Sequence, residues 1–365
     1  MFYSYLIIFI VWGISAYFIS LALNYYLIKH KKFTLKKNNT EAERFASQSK
    51  PIFGGINFFA IFLLYTLAYI FFLDKNFYVN GQTFGLGLAV TIGFFMGLVD
   101  DILATPPMFK FVMQLLIAVL LINFDIYIKI SDNNLINYAL TIFWIVGIMN
   151  SINMLDNMDA ITASITLTIL AGMFINIIIS NDYTKLPYML GIIVVIASIL
   201  GFLKYNWAPS KIYMGDNGSQ FLGALLGGMS IMFLWNLPAE TSKTFSVFKP
   251  FFIVLLAFII PIVDTTTVSI NRLLRGQSPF VGGKDHTTHH LFYLGFKNNQ
   301  VAVILITISS ISMIMSSYII NEIENWNNYY TILFGSYFLL IFSLLYLNTK
   351  FKKEKIKKII GFNNN

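Results

Sequence analysis

The 365-residue chain contains no cysteine. Disulfide bonds, thiolate metal ligands and a cysteine nucleophile are therefore excluded. Charged residues are scarce as well: they make up 12% of the chain, about half the fraction found in typical soluble domains. With 17 acidic residues and 4 histidines, any acid–base or metal chemistry depends on few side chains, so their positions in the sequence are informative.

Long apolar segments fill most of the sequence. Hydrophobic residues make up 57% of the chain, and its mean hydropathy is +0.69. The first segment has neither the basic start nor the cleavage site of a secretory signal, so we expect a retained helix. The sequence predicts an all-α polytopic integral membrane protein with about eleven transmembrane helices. These segments are 4–28, 51–73, 84–100, 108–124, 135–151, 160–180, 187–203, 217–237, 250–270, 300–321 and 328–348.

Lysine and arginine are distributed unequally between the two faces of such a bundle. Of the 25 basic residues, one face receives only Lys75, Lys129, Lys185, Lys243 and Lys249. The other face holds all the rest, and the positive-inside rule identifies it as cytoplasmic. We therefore predict a protein of the cell inner (cytoplasmic) membrane, with the N-terminus outside and the C-terminus inside. The charges lie next to span ends and suit anionic lipid, so no nucleic-acid partner is expected.

Four polar stretches fall on this cytoplasmic face. They are GLVDDILATPP, NSINMLDNMDA, NWAPSKIYMGDNGS and NRLLRGQSPFVGGKDHTTHH. They contribute Asp100, Asp101, Asp156, Asp159, Asp216, Asp285, His286, His289 and His290. Carboxylates at a membrane boundary are costly to desolvate unless they are paired, hydrated or bound to a cation. A single aspartate at a loop end is more often a solvated helix cap, but several converging loops predict an active site on the cytoplasmic face.

The second stretch spaces its polar residues by three. Asn150, Asn153, Asp156 and Asp159 would sweep about half the circumference of one straight helix, so a straight helix could not aim all of them at one ligand. We therefore predict a helix ending near Asn153, a turn through MLDN and a new helix beginning near Asp159.

The residue types favour phosphate and metal chemistry. The adjacent carboxylates of Asp100 and Asp101 either raise one pKa or attract a cation, and hard oxygen ligands without thiols favour Mg²⁺ or Mn²⁺. The glycines of MGDNGS leave backbone amides accessible to a phosphate at a helix start. Asn206 and Tyr213 offer the amide and the aromatic face that a uracil base needs, although Tyr213 also suits an interfacial aromatic belt.

Three of the four histidines lie in KDHTTHHL. Zinc binding is one interpretation of this cluster, but no cysteine is available to complete such a site. Phosphate recognition together with Arg272, Arg275 and Lys284 fits the available side chains better.

In this order the motifs resemble those of the polyprenyl-phosphate N-acetylhexosamine-1-phosphate transferases, glycosyltransferase family 4. SKPIFGGI is similar to the family's Pro-x-x-Gly-Gly element, GLVDD to its paired aspartates, and NSINMLDNMDA to its Asn-x-x-Asn-x-x-Asp motif. KIYMGDNGSQFLG resembles its Met-Gly-Asp-x-Gly-Ser motif and DHTTHHL its last histidine loop. The resemblance implies a transmembrane transferase domain over 1–349, with the motifs within 50–295, followed by a basic cytoplasmic tail over 350–365.

The resemblance implies transfer of a sugar-1-phosphate from a UDP-N-acetylhexosamine to undecaprenyl phosphate, with release of UMP and a requirement for Mg²⁺, for which Mn²⁺ could substitute. It assigns chemistry to Asp100, Asp101, Asp156, Asp159 and His286. It assigns substrate binding to Lys50, Asn150, Asn153, Asn206, Tyr213, Arg272, His289 and His290. Asp216 and Asn153 are its metal ligands. A homodimer in the lipid bilayer is compatible with it.

Two details of the motifs indicate the branch of the family. DHTTHHLFYLGF lacks the three consecutive histidines followed by Phe-Glu that mark phospho-N-acetylmuramoyl-pentapeptide transferase, which stays the alternative. It is more similar to the bacterial undecaprenyl-phosphate N-acetylglucosamine-1-phosphate transferases, which initiate cell-envelope glycans such as the O-antigen of lipopolysaccharide. In the aspartate motif, Asn157 and Ala160 replace two family glycines, which leaves the local backbone and the role of Asp159 open.

Two other classes of protein compete with a transferase. An ion-coupled transporter would carry acids in the middle of its spans, and here only Asp264 lies well inside an apolar segment. An inactive scaffold would explain the substituted glycines, but the retained aspartates argue against it.

Overall fold

The computed structural model describes residues 2–30, 50–73, 80–236, 246–278 and 283–350. Within these ranges all regular secondary structure is helical, as the apolar segments predict. Both 31–49 and the tail 351–365 lie outside the described residues. The helices are α1 (Phe2–Lys29), α2 (Gly54–Ala68), α3 (Gly81–Leu103), α4 (Pro107–Asn123), α5 (Asn134–Leu155), α6 (Ile161–Ile179), α7 (Leu186–Asn206), α8 (Gly215–Ser230), α9 (Phe248–Ala257), α10 (Ile259–Leu273), α11 (Thr287–Tyr293), α12 (Asn298–Glu322) and α13 (Asn328–Asn348).

Each predicted apolar segment corresponds to one of these helices or to a bent pair. Among the described residues, nine helices are long and apolar enough to cross a membrane. Helices α9 and α10 meet at an angle of 84°, and they make a tenth span if the bent pair is counted as one. The eleventh segment forms α4, which has 17 residues. The polytopic all-α fold is confirmed, whereas the orientation of the bundle stays a prediction.

The bend between α9 and α10 has a local cause. Pro261 lies in the first turn of α10 and has no N–H to donate to the carbonyl of Ala257, with which α9 ends. Phe258, between the two helices, is fully buried. The chain therefore turns inside the bundle and carries α10 toward the loops at its end.

Helix α8 lies at the centre of the bundle. Nearly all its residues are buried, and it packs against α2, α3 and α5. Small residues allow this close approach, as is usual where membrane helices meet. A Cβ at Gly97 of α3 would lie 2.1 Å from the carbonyl oxygen of Asp216, and one at Gly55 of α2 would lie 2.2 Å from Asn217 Oδ1. These glycines set how near α2 and α3 come to the start of α8.

The Gly97→Ala substitution is expected to destabilise the protein by about 1–3 kcal/mol, because the added methyl group must displace α8 backbone. Gly87 of the same helix is the matched control, since nothing lies within 4 Å of a Cβ built there. The Gly87→Ala variant should be neutral or slightly more stable. Thermal unfolding in detergent measures both. Equal melting temperatures for the two variants would contradict the steric account.

The segment before α2 is fastened to the segment before α8 by backbone hydrogen bonds. Tyr213 N donates to Pro51 O at 2.8 Å, Gly54 N to Tyr213 O at 3.0 Å, and Gly55 N to Met214 O at 3.0 Å. Gly215 follows with a φ of +75°, a backbone conformation that suits glycine. These contacts hold the starts of α2 and α8 beside each other at one end of the bundle.

Candidate active site

The carboxylates of Asp100 and Asp216 both pair with the ammonium group of Lys110. Lys110, on the first turn of α4, places Nζ 3.1 Å from Asp100 Oδ2 and 3.2 Å from Asp216 Oδ2. Asp100 also accepts hydrogen bonds from Thr105 N at 2.9 Å and Thr105 Oγ1 at 2.5 Å. The turn between α3 and α4, in which Ala104 has a φ of +50°, brings Lys110 back over the end of α3. The ends of three helices thus bring two carboxylates and an ammonium group together.

The neighbouring Asp101 has a different environment. Its carboxylate accepts from Asp216 N at 3.1 Å, from Asn217 N at 2.8 Å and from Asn217 Nδ2 at 2.5 Å. The first amides of a helix lack intrahelical partners, and no side chain at the start of α8 caps them. Asp101 of α3 therefore caps α8 from another helix. The two adjacent aspartates therefore have different partners: Asp100 pairs with Lys110, whereas Asp101 caps the start of α8.

The residues around Lys110 also suit a divalent cation. Within the described ranges, no three His, Asp or Glu side chains lie close enough to share a metal ion. Magnesium needs only one or two protein carboxylates and takes water and phosphate oxygens for the rest. Asp100 Oδ2 and Asp216 Oδ2 already converge on one positive charge. The donor set therefore fits a hard cation that is shared with a phosphate.

The two asparagines of the opening motif reach different neighbours. Asn153 Nδ2 donates to Ser219 Oγ at 2.8 Å, which places Asn153 against the first turns of α8. Asn150, one turn deeper, donates to Gln114 Oε1 at 2.8 Å, and Gln114 donates to Gln220 Oε1 at 3.3 Å. Asn150 thus belongs to a buried amide network between α4, α5 and α8, whereas Asn153 is beside the acidic cluster.

The predicted break in this motif is confirmed, but two residues later than expected. Helix α5 continues to Leu155 and α6 begins at Ile161. The helix continues for this extra half-turn because Leu155 is fully buried. Asp156 is therefore the C-cap that follows α5, and the turn covers Asp156 to Ala160.

Asp159 and Asn206 fasten this turn to the loop after α7. Asp159 accepts from Ser210 N at 3.0 Å and from Ser210 Oγ at 2.8 Å. Asn206 accepts from Ala160 N at 2.9 Å and donates to Ile212 O at 2.8 Å. Both side chains are occupied by loop contacts, which gives them a positioning role in this geometry.

Lys50 and Tyr213 form the edge of the same loop. Lys50 Nζ lies 3.2 Å from Ser210 Oγ and 5.0 Å from the centroid of the Tyr213 ring. The ammonium group of Lys50 thus lies beside the face of the Tyr213 ring. This is the side of the site where the sequence predicts the nucleotide.

The two residues that depart from the family pattern have distinct structural roles. Ala160 has a φ of +67°, the left-handed conformation that a glycine adopts without strain. Ala160 therefore adopts the conformation that would suit the glycine it replaces. Asn157 donates through Nδ2 to Met154 O at 2.9 Å and accepts from Thr288 Oγ1 at 2.6 Å. It ties the aspartate turn to α11, a contact that glycine could not make.

Removing this contact by Thr288→Val should raise the KM for the donor that the motifs predict, a sugar nucleotide, several-fold, because the aspartate turn loses its hydrogen bond to α11. A typical hydrogen bond contributes about 1 kcal/mol. Asn157→Gly should have a similar effect, and the double variant should be no worse than either single one. Michaelis–Menten kinetics for the four proteins form the double-mutant cycle. Additive effects would contradict the coupling, and Thr288→Ser should retain normal kinetics.

Arginines surround Asp285, ahead of the histidines. Buried Arg272 donates from Nε to Asp285 Oδ2 at 3.1 Å and from Nη2 to Oδ1 at 2.7 Å, and Arg275 pairs with the same carboxylate. Burial raises the pKa of Asp285, but these hydrogen bonds and the charge of Arg272 outweigh it and bring the pKa to about 2. Asp285 therefore stays ionised, and Arg272 reaches the site already paired.

The histidines differ in their partners. His286 Nδ1 lies 2.8 Å from Oδ2 of the buried Asp264. Burial lowers the pKa of His289 to about 4 and also lowers the pKa of His290. Both are neutral at physiological pH, so they would recognise a phosphate through N–H groups rather than charge. Since His289 of the unfolded chain binds a proton near pH 6.5, the free energy of unfolding falls as the pH drops from about 6.5 to 4.

Two residues in contact with the site were missed by the sequence-based prediction. Lys110 was counted only as a loop charge, although an isolated lysine at the start of an apolar segment indicates a function. Asp264 was used only to argue against a transporter, yet it contacts the histidine loop. The signal was available in both cases as an ionisable residue within an apolar run.

Acidic and cationic side chains gathered at one end of a helical membrane bundle suit the class of membrane-embedded enzymes that act on phosphorylated substrates. The family model for glycosyl transferase family 4 matches residues 83–234. That range includes Asp100, Lys110, the aspartate turn and Asp216.

Curated relatives extend the match. A Bacillus subtilis protein named "Probable undecaprenyl-phosphate N-acetylglucosaminyl 1-phosphate transferase" is 30% identical over 288 residues, which are 75% of this chain and 76% of the relative. A Streptococcus agalactiae phospho-N-acetylmuramoyl-pentapeptide-transferase is 32% identical over 210 residues, 52% of this chain and 61% of the relative. A Mycobacterium leprae decaprenyl-phosphate N-acetylglucosaminephosphotransferase is 27% identical, with 58% of each chain covered. The chain belongs to glycosyl transferase family 4, and the resemblance drawn from its motifs is confirmed.

Proposed function

We propose that the protein transfers N-acetylglucosamine-1-phosphate from UDP-N-acetylglucosamine to undecaprenyl phosphate, with release of UMP. The reaction would take place on the cytoplasmic face of the inner membrane and would initiate a cell-envelope glycan. The observation that carries the proposal is the convergence of Asp100 and Asp216 on Lys110 at the glycine-rich start of α8. The names of the Bacillus and Mycobacterium relatives support the choice of donor and acceptor.

The reaction is a phosphoryl transfer. An oxygen of the lipid phosphate forms a bond to the β-phosphorus of the sugar nucleotide, while the bond from that phosphorus to the bridging oxygen breaks and its electron pair leaves with UMP. The second pKa of a phosphate monoester is about 6, so the acceptor is largely dianionic at neutral pH and needs no dedicated base. Catalysis then depends on holding two anions together and compensating their charge.

The residues of the site fit these requirements. The ammonium group of Lys110 would compensate the negative charge of the reacting phosphates. Asn153, Lys50 and Tyr213 would bind the uridine side of the donor. Bound at the oxygens of Asp100 and Asp216, Mg²⁺ would act as a Lewis acid toward the diphosphate.

The surroundings of the cluster favour a lipid acceptor. Apolar side chains at the end of α3 and the start of α4 are exposed on the outer surface of the bundle. They are Ile102, Leu103, Met108, Phe109 and Phe111. In a membrane this surface contacts lipid, so an acceptor with a hydrocarbon tail would reach Lys110 sideways from the bilayer.

The direct test is UMP release by the purified protein with undecaprenyl phosphate and Mg²⁺. UDP-N-acetylglucosamine, UDP-N-acetylgalactosamine and UDP-N-acetylmuramoyl-pentapeptide are offered in parallel. Release with the first donor, dependent on lipid and abolished by EDTA, supports the proposal. Release with the pentapeptide donor alone would favour the second candidate, phospho-N-acetylmuramoyl-pentapeptide transfer, which the Streptococcus relative motivates. No release with any donor would refute both.

The proposed orientation can be tested separately, because the chain has no cysteine. Single cysteines are introduced at the exposed positions Asp132 and Gln277, on opposite sides of the predicted topology. In spheroplasts, Asp132→Cys should react with a membrane-impermeant maleimide, whereas Gln277→Cys should react only after permeabilisation. The reverse pattern would contradict a cytoplasmic site.

A further inference from the structure

Asp264 is an acid within an apolar membrane segment. It lies in α10 and only 1% of its surface is exposed. A carboxylate in such surroundings is costly unless it is paired and hydrogen-bonded, and an intramembrane acid is a functional candidate for this reason. The predicted chemistry of the site assigns it no role.

The partners of Asp264 come from two consecutive residues at the start of α11. Its Oδ1 accepts from Thr287 N at 2.8 Å and from Thr287 Oγ1 at 2.6 Å. Its Oδ2 lies 2.8 Å from His286 Nδ1. The two oxygens of Asp264 thus have different partners among the described residues. Oδ1 accepts from Thr287 at the start of α11, and Oδ2 contacts the imidazole ring of His286.

This contact determines where the ring carries its proton. An ionised carboxylate can only accept hydrogen bonds, so His286 must carry a proton on Nδ1. Nε2 then becomes the ring atom that can accept a proton or, in the imidazolium, donate one. No hydrogen-bond partner of Nε2 is found in the described part of the chain. A carboxylate behind a histidine fixes the orientation and tautomer of metal-bound and catalytic imidazoles in the same way.

We propose that Asp264 is a positioning residue that fixes the tautomer of His286 and presents Nε2 to the donor substrate. The inference rests on the proposed function for the role of His286 in turnover. The charged and titratable side chains around the ring are Asp264 itself, the Asp285 pair with Arg272 and Arg275, and His289 and His290. Among these side chains, only Asp264 is hydrogen-bonded to the ring of His286 in the described structure.

The Asp264→Asn substitution separates positioning from anchoring. The amide oxygen can replace Oδ1 and keep both contacts with Thr287. The amide NH₂ then faces Nδ1 as a donor and requires the ring proton to move to Nε2. The variant therefore keeps the shape of the contact and reverses the tautomer. Thr287→Val is the matched control, because it removes one hydrogen bond from the same carboxylate and leaves the contact with His286.

The experiment uses the full-length protein with ¹⁵N-labelled histidine, in which four histidines give a tractable spectrum. His286→Gln identifies the signals of His286. The wild type and Thr287→Val should show a protonated Nδ1, and Asp264→Asn a protonated Nε2. In the UMP-release assay, kcat of Asp264→Asn should fall about 10- to 100-fold with KM for the donor within twofold. Thr287→Val should keep a near-normal kcat.

The outcomes separate the inference from the proposed function. An identical ¹⁵N pattern in the wild type and Asp264→Asn overturns the positioning role, whatever the activity. A reversed tautomer with unchanged kcat overturns it as well, because His286 would then have no part in turnover. A wild type that releases no UMP from any donor refutes the proposed function, and the spectrum alone then decides whether Asp264 sets the tautomer.

Discussion

The Asp216→Asn variant is expected to lose at least about a hundredfold in kcat for UMP release. Its carboxylate is one of the two that converge on Lys110, at 3.2 Å. The neutral amide cannot hold a divalent cation as a carboxylate does, and it leaves the positive charge of Lys110 only partly balanced. Steady-state UMP release, with Mg²⁺ varied over a wide range, measures the loss.

Two other aspartate substitutions test whether this loss is specific to the cluster. Asp100→Asn changes the second carboxylate on Lys110 and should show a loss of similar size. Asp125→Asn is the matched control, because this exposed residue pairs with Lys129, accepts a long hydrogen bond from Gln82 Nε2 at 3.4 Å and has a φ of +59°, which asparagine tolerates. It should retain full activity. Normal turnover by both Asp216→Asn and Asp100→Asn would exclude this cluster as the active site.

The Asp101→Asn variant is expected to unfold more easily, by about 2–4 kcal/mol, as well as to lose activity. Asp101 accepts three hydrogen bonds from the start of α8. An asparagine has one amide oxygen for these donors and turns its own NH₂ toward them. Buried donors left without an acceptor cost about 1–3 kcal/mol each. Thermal unfolding of the detergent-solubilised protein measures the difference.

The control for this prediction is the same substitution at the adjacent residue, Asp100→Asn. Asp100→Asn keeps the contact between Asp101 and α8 and can keep both hydrogen bonds from Thr105, so its melting temperature should fall less than that of Asp101→Asn while its activity falls. A stable Asp101→Asn variant that is merely inactive would show that the start of α8 does not depend on this cap.

The fold was largely predictable from hydropathy because a membrane helix needs a continuous apolar segment. Each such segment corresponds to a helix or to the bent pair. Hydropathy could not reveal the 84° bend between α9 and α10, since Phe258 and its neighbours are as apolar as those of a straight helix. The end of α5 was misjudged for a related reason. Polar Asn153 suggested a helix end, but burial of Leu155 on the opposite side carried the helix one half-turn further.

The composition of the site was easier to predict than its pairings. The predicted orientation of the bundle was enough to place the aspartates on one face. The sequence VDD does not indicate that Asp100 pairs with Lys110 while Asp101 caps α8. Such pairings depend on the directions in which helices from distant parts of the sequence approach. The contact between Asp264 and His286 is of the same kind, because it joins α10 to a residue 22 positions further along the chain.

The length of α4 affects the membrane beside the site. Its 17 residues rise about 26 Å at 1.5 Å per residue, whereas the hydrocarbon core of a typical bilayer is about 30 Å thick. Such a hydrophobic mismatch makes the surrounding lipid thin locally or draws the polar flanks of the helix inward. Because Lys110 is on the first turn of α4, thinning of the bilayer at this helix would bring the headgroup layer toward Asp100 and Asp216. The thickness of the bilayer would then be part of the geometry with which the proposed lipid phosphate meets the cluster.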